Sequence, residues 1–300
     1  MFAATPRRTK GTTQVQGDQA NPAHVGDTVR VDTADGPMWT FRSDVYVSRS
    51  LQLYGEYVAG EADIFRQIVR PGMHVVEIGA NIGSHSVMLA RACAPGRFLA
   101  FEPQQRAFQL LTANLVANDV ANARVYPEAI GAAEGMVEMS EPDYTLRGNF
   151  GAFSLTNPRR DHGQGLRVRV SSLDSWALGA CHFLKIDVEG LECDVIAGAS
   201  ATIATHRPII YTENDRRDQQ GRLIDMLAAH GYVLYWHLPP LFRPGNFKAV
   251  TRNVFENLVS VNMLCVPAEL NATIDGFVRI DPANWEPPLR RSRGDIAPRG

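Results

Sequence analysis

Apolar, strand-like runs alternate with helical patterns through most of this 300-residue chain. The strand-like runs, in chain order, are "HVVEI", "RFLAFEP", "ARVYPEAI", "HFLKIDVEG", "RPIIYTEN", "YVLYW" and "LVSVNMLCV". Helical patterns fall between most of them, at 84–94, 104–118, 191–205 and 219–230. Because right-handed crossovers place helices on the faces of a sheet, this order predicts an α/β fold whose mostly parallel sheet is covered on both sides.

The alternation suggests one domain over residues 25–280. The flanking segments 1–24 and 281–300 are polar and rich in Gly, Pro and Arg, so we expect loose tails there. A hairpin and a helix are expected at 25–71, and a β insertion beside the site at 135–171. The loop "LPPLFRPGNFKAVTRN" is long for a compact domain, and loops of that length are more often functional than neutral.

Composition excludes some classes of partner. A formal net charge of -2 provides no basic surplus, so we do not expect binding to nucleic acid.

The cysteines bear on the cellular location. Cys93, Cys181, Cys193 and Cys265 form no CxxC pair, which favours reduced thiols in a cytoplasmic protein. We see no apolar leader and no run long enough to cross a membrane. The oligomeric state cannot be read from these residues.

The stretch "VVEIGANIGSHSV", at 75–87, leads from a strand through a turn into a helix. Gly79 and Gly83 permit a sharp turn or the close approach of a ligand, and they would also serve a turn that binds nothing. Asn81 replaces the second glycine of the dinucleotide motif GxGxxG, and the carboxylate of Glu77 would repel a pyrophosphate. The cationic amino group of an amino-acid moiety suits Glu77 better. Ser84 is placed to contact the carboxylate of the same cofactor. The turn therefore favours S-adenosylmethionine over a dinucleotide.

Two further acids follow the next two strands. Glu102 comes about twenty residues after the turn, where a carboxylate can accept both ribose hydroxyls. Glu128, in "YPEAIG", follows the third strand and is a candidate to contact an adenine amino group. His85, beside the turn, is expected to cap or pack.

Several of these motifs together resemble a known family. "PGMHVVEIGANIGSHSVMLA", "FEP", "EAIG", "FLKIDVEGLECDVIAG", "PIIYTEN" and "ENLVSVNMLCVP" are similar to the FkbM family of S-adenosylmethionine-dependent methyltransferases, over roughly residues 55–267. The resemblance implies a Rossmann-like class I methyltransferase fold with a seven-stranded, mostly parallel sheet, an antiparallel last strand and helices on both faces. It also implies methylation of hydroxyls on sugars or complex natural products. Glu77 departs from the Asp that family members often carry, which keeps the charge and lengthens the side chain.

Acidic residues also follow the fourth and fifth strands. Asp187 and Glu189, with Glu213 on the next strand, are candidates to take the proton of an acceptor hydroxyl. Asp187, Glu213 and Asn214 offer the oxygen ligands that Mg²⁺ prefers, so a magnesium site is a second hypothesis. His237 is a further candidate base. Lys185 points to the same face as Asp187 and is expected to pair with a carboxylate.

A small-molecule or glycan hydroxyl acceptor is the expected partner. Candidates to contact it lie in the two irregular segments: Phe150, Phe153, Trp236, Phe242 and Phe247, with the polar Asn149, Ser154, Arg243 and Asn246. These aromatic residues would serve equally to cover a sheet edge. The alternatives to a methyltransferase are a nicotinamide-dependent oxidoreductase and an inactive cofactor-binding regulator.

Overall fold

The computed structural model describes residues 24–140, 142–151 and 165–288. In these residues the strands are β1 (His24–Val25), β2 (Thr28–Thr33), β3 (Gly36–Phe41), β4 (Val75–Ile78), β5 (Phe98–Phe101), β6 (Ala123–Tyr126), β7 (Ala129–Ile130), β8 (Gly135–Ser140), β9 (Gly165–Ser171), β10 (Phe183–Ile186), β11 (Ile209–Glu213), β12 (Tyr232–His237), β13 (Asn262–Pro267) and β14 (Val278–Arg279). The α-helices are α1 (Val47–Tyr54), α2 (Ala59–Ile68), α3 (Ser86–Cys93), α4 (Gln105–Ala117), α5 (Glu192–Gly198), α6 (Ser200–His206) and α7 (Gln220–Ala229). Most of the two predicted tails and the middle of the predicted β insertion lie outside the described residues.

The central sheet has the strand order β14-β12-β13-β11-β10-β4-β5-β6. Its strands from β11 to β6 run parallel, and β13 lies antiparallel between β11 and β12. This confirms the predicted α/β fold, but the expected count of seven strands was one too low. The eighth strand, β14, has two residues at the sheet edge and is too short to leave a periodic pattern.

Helices cover both faces of this sheet, as predicted. One apolar core joins the sheet to α2, α3 and α4 through residues such as Phe65, Leu89 and Leu111. The other core joins it to α5, α6 and α7, for example through Ile196 and Leu227. Residues of the central strands alternate between the two cores because successive side chains of a strand point to opposite faces. Among the described residues, none of the helices has the length and apolar character needed to span a membrane.

The pattern predicted as one helix over 191–205 forms two short helices, α5 and α6. The break falls at Ala199, directly after Gly198. A side chain at Gly198 would collide with the carbonyl oxygen of Gly131, so the chain after β7 passes directly against this point of the helix. The apolar spacing continues through the break, and for that reason the sequence does not reveal it. Helix α1 was also missed.

Three segments build a wall at the carboxyl ends of the parallel strands. The order in which strands are added to the sheet reverses between the parallel neighbours β4 and β10, where the crevice of an open α/β sheet forms. Helices α1 and α2 and the loop between β12 and β13 all supply residues that line this crevice. An apolar cluster containing Tyr54, Val58, Leu241 and Phe255 joins that loop to the helices.

Candidate active site

Two adjoining cavities open at this crevice. The larger has a volume of about 320 Å³ and is bounded by the glycine turn, the ends of β10 and β11, helix α2 and the loop before β13. The smaller has a volume of about 50 Å³. Both are lined by Gly79, Glu102, Gln104, Asp187 and Glu189, so they form one continuous site.

The glycine turn is shaped by contact with the neighbouring strand. Gly79 has φ +81°, and a side chain there would collide with the carbonyl oxygen of Asp187. Gly83 has φ +85° and a Cβ would lie 2.9 Å from Leu111, but Gly83 lines neither cavity. Gly83 serves the turn and its packing on α4, and its contact with the cofactor stays a prediction. Asn81 and Ser84 do line the larger cavity.

Glu102 lies where the two cavities meet. It is 3% exposed, its Oε2 accepts the N–H of Asn81 at 2.8 Å, and its Oε1 accepts the N–H of Gln104 at 2.8 Å. Burial raises its pKa to about 7, although these two hydrogen bonds work in the other direction. Each carboxyl oxygen keeps a second lone pair, so the group can still accept two hydroxyls of a ribose.

The smaller cavity is an apolar slot with an acid among its lining residues. Ile78, Phe101, Ile130 and Leu191 contribute apolar surface, and Glu128 lines the same slot. The Oε2 of Glu128 accepts the hydroxyl of Ser171 at 3.1 Å. A flat base fits such a slot, with a carboxylate available to an exocyclic amino group.

Glu77 does not reach either cavity, contrary to the prediction. It is 1% exposed and lies directly opposite Lys185 in the parallel register of β4 and β10. Its Oε1 is 3.3 Å from the Nζ of Lys185, and its Oε2 accepts the hydroxyl of Ser86 at 2.5 Å. The cross-strand lysine therefore binds the carboxylate inside the protein.

Lys185 also forms the ion pair expected with Asp187. Its Nζ lies 3.3 Å from the Oδ2 of Asp187, which lines both cavities. Burial disfavours the ammonium form of Lys185, but the carboxylates of Asp187, Glu77 and Glu61 outweigh burial and raise its pKa. Lys185 is therefore held in its ammonium form, and its ion pair fixes the orientation of the Asp187 carboxylate.

The predicted acids after β10 and β11 come together with two neighbours. Asp187, Glu189, Glu213 and Asp215 all line the larger cavity, with Arg216 hydrogen-bonded to Glu189. The Oε2 of Glu213 is buried and has no hydrogen-bond partner in the described part of the chain. Burial, and then the nearby carboxylates, raise the pKa of Glu213 well above its usual range. Burial and Asp187 likewise raise the pKa of Glu189 to about 7, against the effect of Arg216.

The magnesium hypothesis receives no support. Asn214 lines neither cavity, because its Nδ2 lies 3.3 Å from the Sδ of Met263 in the interior. Across residues 24–140, 142–151 and 165–288, no cluster of His, Cys, Asp and Glu side chains is arranged to hold a metal ion. Asp187 and Glu213 are available for other chemistry.

His237 is also turned away from the site. Its Nδ1 lies 2.7 Å from the hydroxyl of Tyr211, and its ring lies 4.8 Å from the ring of Phe277. It lines neither cavity, and burial lowers its pKa. The strand end places the ring of His237 against Phe277 and Tyr211, so the structure does not bring this predicted base together with the acids of the cavity.

Glu61 of α2 is a cavity residue that the sequence reading missed. It is 4% exposed, its Oε2 lies 3.2 Å from the Nε2 of His85, and its Oε1 accepts the side-chain N–H of Asn262 at 2.8 Å. His85 lines the cavity as well, and although it is the N-cap residue of α3, its side chain makes no capping hydrogen bond. A carboxylate four residues before Phe65, on the apolar face of a predicted helix, was the signal available in the sequence.

Most predicted acceptor contacts lie elsewhere. Of those that fall in the described residues, Asn149 alone lines the larger cavity. Among the aromatic residues, Phe150 and Trp236 are buried, Phe242 packs on Tyr54 and Phe247 is exposed. Of the polar residues, Arg243 forms ion pairs with Glu56 and Asp63. The side chain of Asn246 forms hydrogen bonds with the backbone of Val250. Phe153 and Ser154 lie outside the described residues. The cavity walls are instead formed by Tyr46, Tyr57, Leu241, Leu258, Val259 and Ser260.

Comparison with known proteins identifies relatives of this chain. The 31-O-demethyl-FK506 methyltransferase FkbM of Streptomyces tacrolimicus is 29% identical over 204 residues, which cover 58% of this chain and 78% of that protein. The 2-O-methyltransferase NoeI of Sinorhizobium fredii is 27% identical over 184 residues, covering 53% of this chain and 72% of that protein. A solved structure of methyltransferase FkbM from Methylobacillus flagellatus is 17% identical with a TM-score of 0.42, and covers 74% of this chain and 55% of its own.

The model of the methyltransferase FkbM domain matches residues 77–234, just over half of the chain. This match decides between a methyltransferase and a nicotinamide-dependent oxidoreductase. The chain belongs to the FkbM family and is an S-adenosylmethionine-dependent methyltransferase.

Proposed function

We propose that the protein transfers a methyl group from S-adenosylmethionine to a hydroxyl of a sugar, a glycoconjugate or a related natural product. The observation that carries this proposal is the continuity of the apolar slot, Glu102 and the acidic cluster within one site. The names of the two relatives specify O-methylation, which supports a hydroxyl as the acceptor group.

The residues present fit the cofactor in a defined order. The slot beside Ile130 and Leu191 accepts the adenine, with Glu128 for its amino group, and the free lone pairs of Glu102 accept the ribose hydroxyls. Asn81 and Ser84 line the path from there into the larger cavity. The bound cofactor supplies a methyl group on a sulfonium sulfur, open to attack by an oxygen nucleophile.

The acidic cluster is suited to hold the acceptor hydroxyl and take its proton. Most of the rate enhancement of such a displacement comes from alignment of the two reactants, worth effective molarities of about 10⁵ to 10⁸ M. Asp187, held by Lys185, and Glu189, whose pKa is raised to about 7, are the proton acceptors that the geometry favours. Burial raises the pKa of Glu213 well above its usual range, which favours a protonated carboxyl that can donate a hydrogen bond to a second acceptor oxygen.

The walls of the larger cavity suit a ring that carries hydroxyl groups. Tyr46, Tyr57 and Leu241 offer apolar surface, while Asn149 and Ser260 offer hydrogen-bonding groups. Burial raises the pKa of Tyr57 well above its usual value, so its hydroxyl remains a neutral donor. An inactive regulator is less well supported, because it would have no use for Glu213, a buried acid of the cavity whose Oε2 has no hydrogen-bond partner among the described residues.

The test is methyl transfer to a panel of hydroxyl acceptors, followed as S-adenosylhomocysteine release. Asp187→Asn should lower kcat by roughly 10²-fold or more, because it removes a proton acceptor while keeping the shape of the side chain. Asp225→Asn, on the exposed face of α7, is the matched control and should change nothing. Wild-type kcat in Asp187→Asn would reject Asp187 as the proton acceptor, and methylation of nitrogen instead of oxygen would reject the proposed function.

A further inference from the structure

We infer that Glu61 of helix α2 binds the ammonium group at the amino-acid end of the cofactor, the role that the sequence suggested for Glu77. Glu61 precedes residues 77–234, so the helix ahead of the family-matched region completes the cofactor site. The inference rests on the cofactor part of the proposed function.

The need for another acid follows from the position of Glu77. Glu77 is buried away from both cavities, and its two oxygens contact Lys185 and Ser86 in the interior. An ammonium group brought to Glu77 would have to displace a buried lysine that also holds Asp187. The carboxylate that the glycine-turn motif supplies is therefore committed to the interior.

Glu61 lies where the amino-acid end of the cofactor would arrive. The cofactor's path runs from the slot past Glu102 and along Gly79, Ala80 and Asn81, and it continues to Ser84 and His85 at the start of α3. The Oε2 of Glu61 is 3.2 Å from the Nε2 of His85, so this carboxylate lies beside that end of the path. Asp187 and Glu189, after β10, line both cavities, and Glu213, the last residue of β11, lines the larger one.

The local charges favour an ionised Glu61. Burial works to raise its pKa, but the contact with His85 and the charges of His85 and Lys185 outweigh burial and lower the pKa. Asn262 holds the other oxygen at 2.8 Å. An anion held in place, with little exposure to water, is the environment in which an ammonium group gains most from a charge-assisted hydrogen bond.

Two ligands that differ only at the amino-acid end provide the test. S-adenosylhomocysteine carries the amino-acid group, and 5′-methylthioadenosine has the same adenine, ribose and thioether without it. We expect Glu61→Gln to weaken S-adenosylhomocysteine binding by about 10- to 100-fold in calorimetry, the worth of one hydrogen bond between charged groups. Binding of 5′-methylthioadenosine should stay within about twofold, since the substitution preserves the shape of the side chain and the adenine end is untouched.

Asp63→Asn is the matched control, because Asp63 lies on the same helix, is half-exposed and pairs with Arg66 and Arg243 outside the cavity. It should leave both affinities unchanged. Equal weakening of both ligands by Glu61→Gln, or no weakening of either, would overturn the inference and assign Glu61 to the structure of the wall. If the wild-type protein binds neither ligand, the cofactor part of the proposed function fails and the inference fails with it.

Discussion

At the scale of single residues, Gly79 is the position where the site tolerates least change. Its φ of +81° disfavours any other residue, and its Cα faces the carbonyl oxygen of Asp187. Gly72 has a similar φ of +88° but has nothing within 4 Å of a Cβ position. Alanine substitutions at the two positions therefore distinguish two free-energy costs. Both include the cost of a left-handed backbone conformation, and only that at Gly79 includes the cost of a collision with Asp187.

We predict that Gly79→Ala destabilises the protein by at least about 2 kcal/mol more than Gly72→Ala, which should cost only the roughly 1–2 kcal/mol of the left-handed conformation. Urea unfolding of both variants measures the difference. Equal losses of unfolding free energy would show that the contact with Asp187 relaxes freely.

Residue types were easier to predict from the sequence than side-chain directions. Glu102 and Asp187 line the site as expected, while Glu77, Gly83 and His237 do not. The direction of Glu77 is set by its register with Lys185 across two strands that are more than a hundred residues apart. A single sequence does not contain that register, and so it cannot assign the carboxylate to the cavity or to the lysine.

At the scale of elements, one asparagine fastens the N-terminal hairpin to the central fold. Asn114 of α4 is fully buried, its Oδ1 accepts the N–H of Trp39 at 2.6 Å, and its Nδ2 donates to the carbonyl of Trp39 at 3.0 Å and of Ile82 at 2.8 Å. The amide therefore pairs with β3 as a neighbouring strand would, and it also supports the glycine turn.

We predict that Asn114→Ala lowers the free energy of unfolding by about 2–4 kcal/mol, because it leaves buried backbone groups of Trp39 and Ile82 without partners. Val116→Ala on the exposed side of the same helix should cost less than about 0.5 kcal/mol. Thermal unfolding of both variants is the measurement. A small effect of Asn114→Ala would mean that water or a rearranged hairpin satisfies those groups.

The elements that the sequence predicted are the periodic ones. The spacing of Ile64, Phe65 and Ile68 indicates α2, and the apolar runs indicate the parallel strands. The walls of the larger cavity come partly from the loop before β13, at Leu241, Leu258 and Ser260. The length of this loop suggested a functional role. Its sequence has no periodic apolar pattern that would indicate which residues face the site.

At the scale of the whole molecule, buried acids make stability depend on pH. Burial raises the pKa of Glu102 to about 7, whereas an unfolded glutamate has a pKa near 4.5. Between these values the folded protein binds more protons than the unfolded chain, so this group's contribution to stability falls as pH rises. This loss of unfolding free energy is complete only above the pKa that Glu102 has in the folded protein.

We predict that the stability of the ligand-free protein falls by at most about 3 kcal/mol between pH 5 and pH 8 on account of Glu102. In Glu102→Gln this part of the pH dependence should be absent. Urea unfolding across that range compares the two slopes. Parallel slopes for wild type and variant would show that Glu102 is ionised in the folded protein well below pH 7.

The overall architecture was the most predictable level, because alternating strands and helices leave few arrangements open. The sheet, its antiparallel strand and its two covered faces follow the prediction, and the short strand β14 is the exception. The larger cavity was the least predictable, because helix α2, the loop before β13 and the ends of β10 and β11 meet there from distant parts of the chain.

The central claim is that the site holds S-adenosylmethionine, with Glu102 on the ribose. Calorimetric titration of S-adenosylhomocysteine and of NAD⁺ into wild type and Glu102→Gln tests it most directly. The account predicts micromolar binding of S-adenosylhomocysteine, at least about tenfold weaker binding in Glu102→Gln, and no heat from NAD⁺. Binding of NAD⁺, or S-adenosylhomocysteine affinity that Glu102→Gln leaves unchanged, would contradict it.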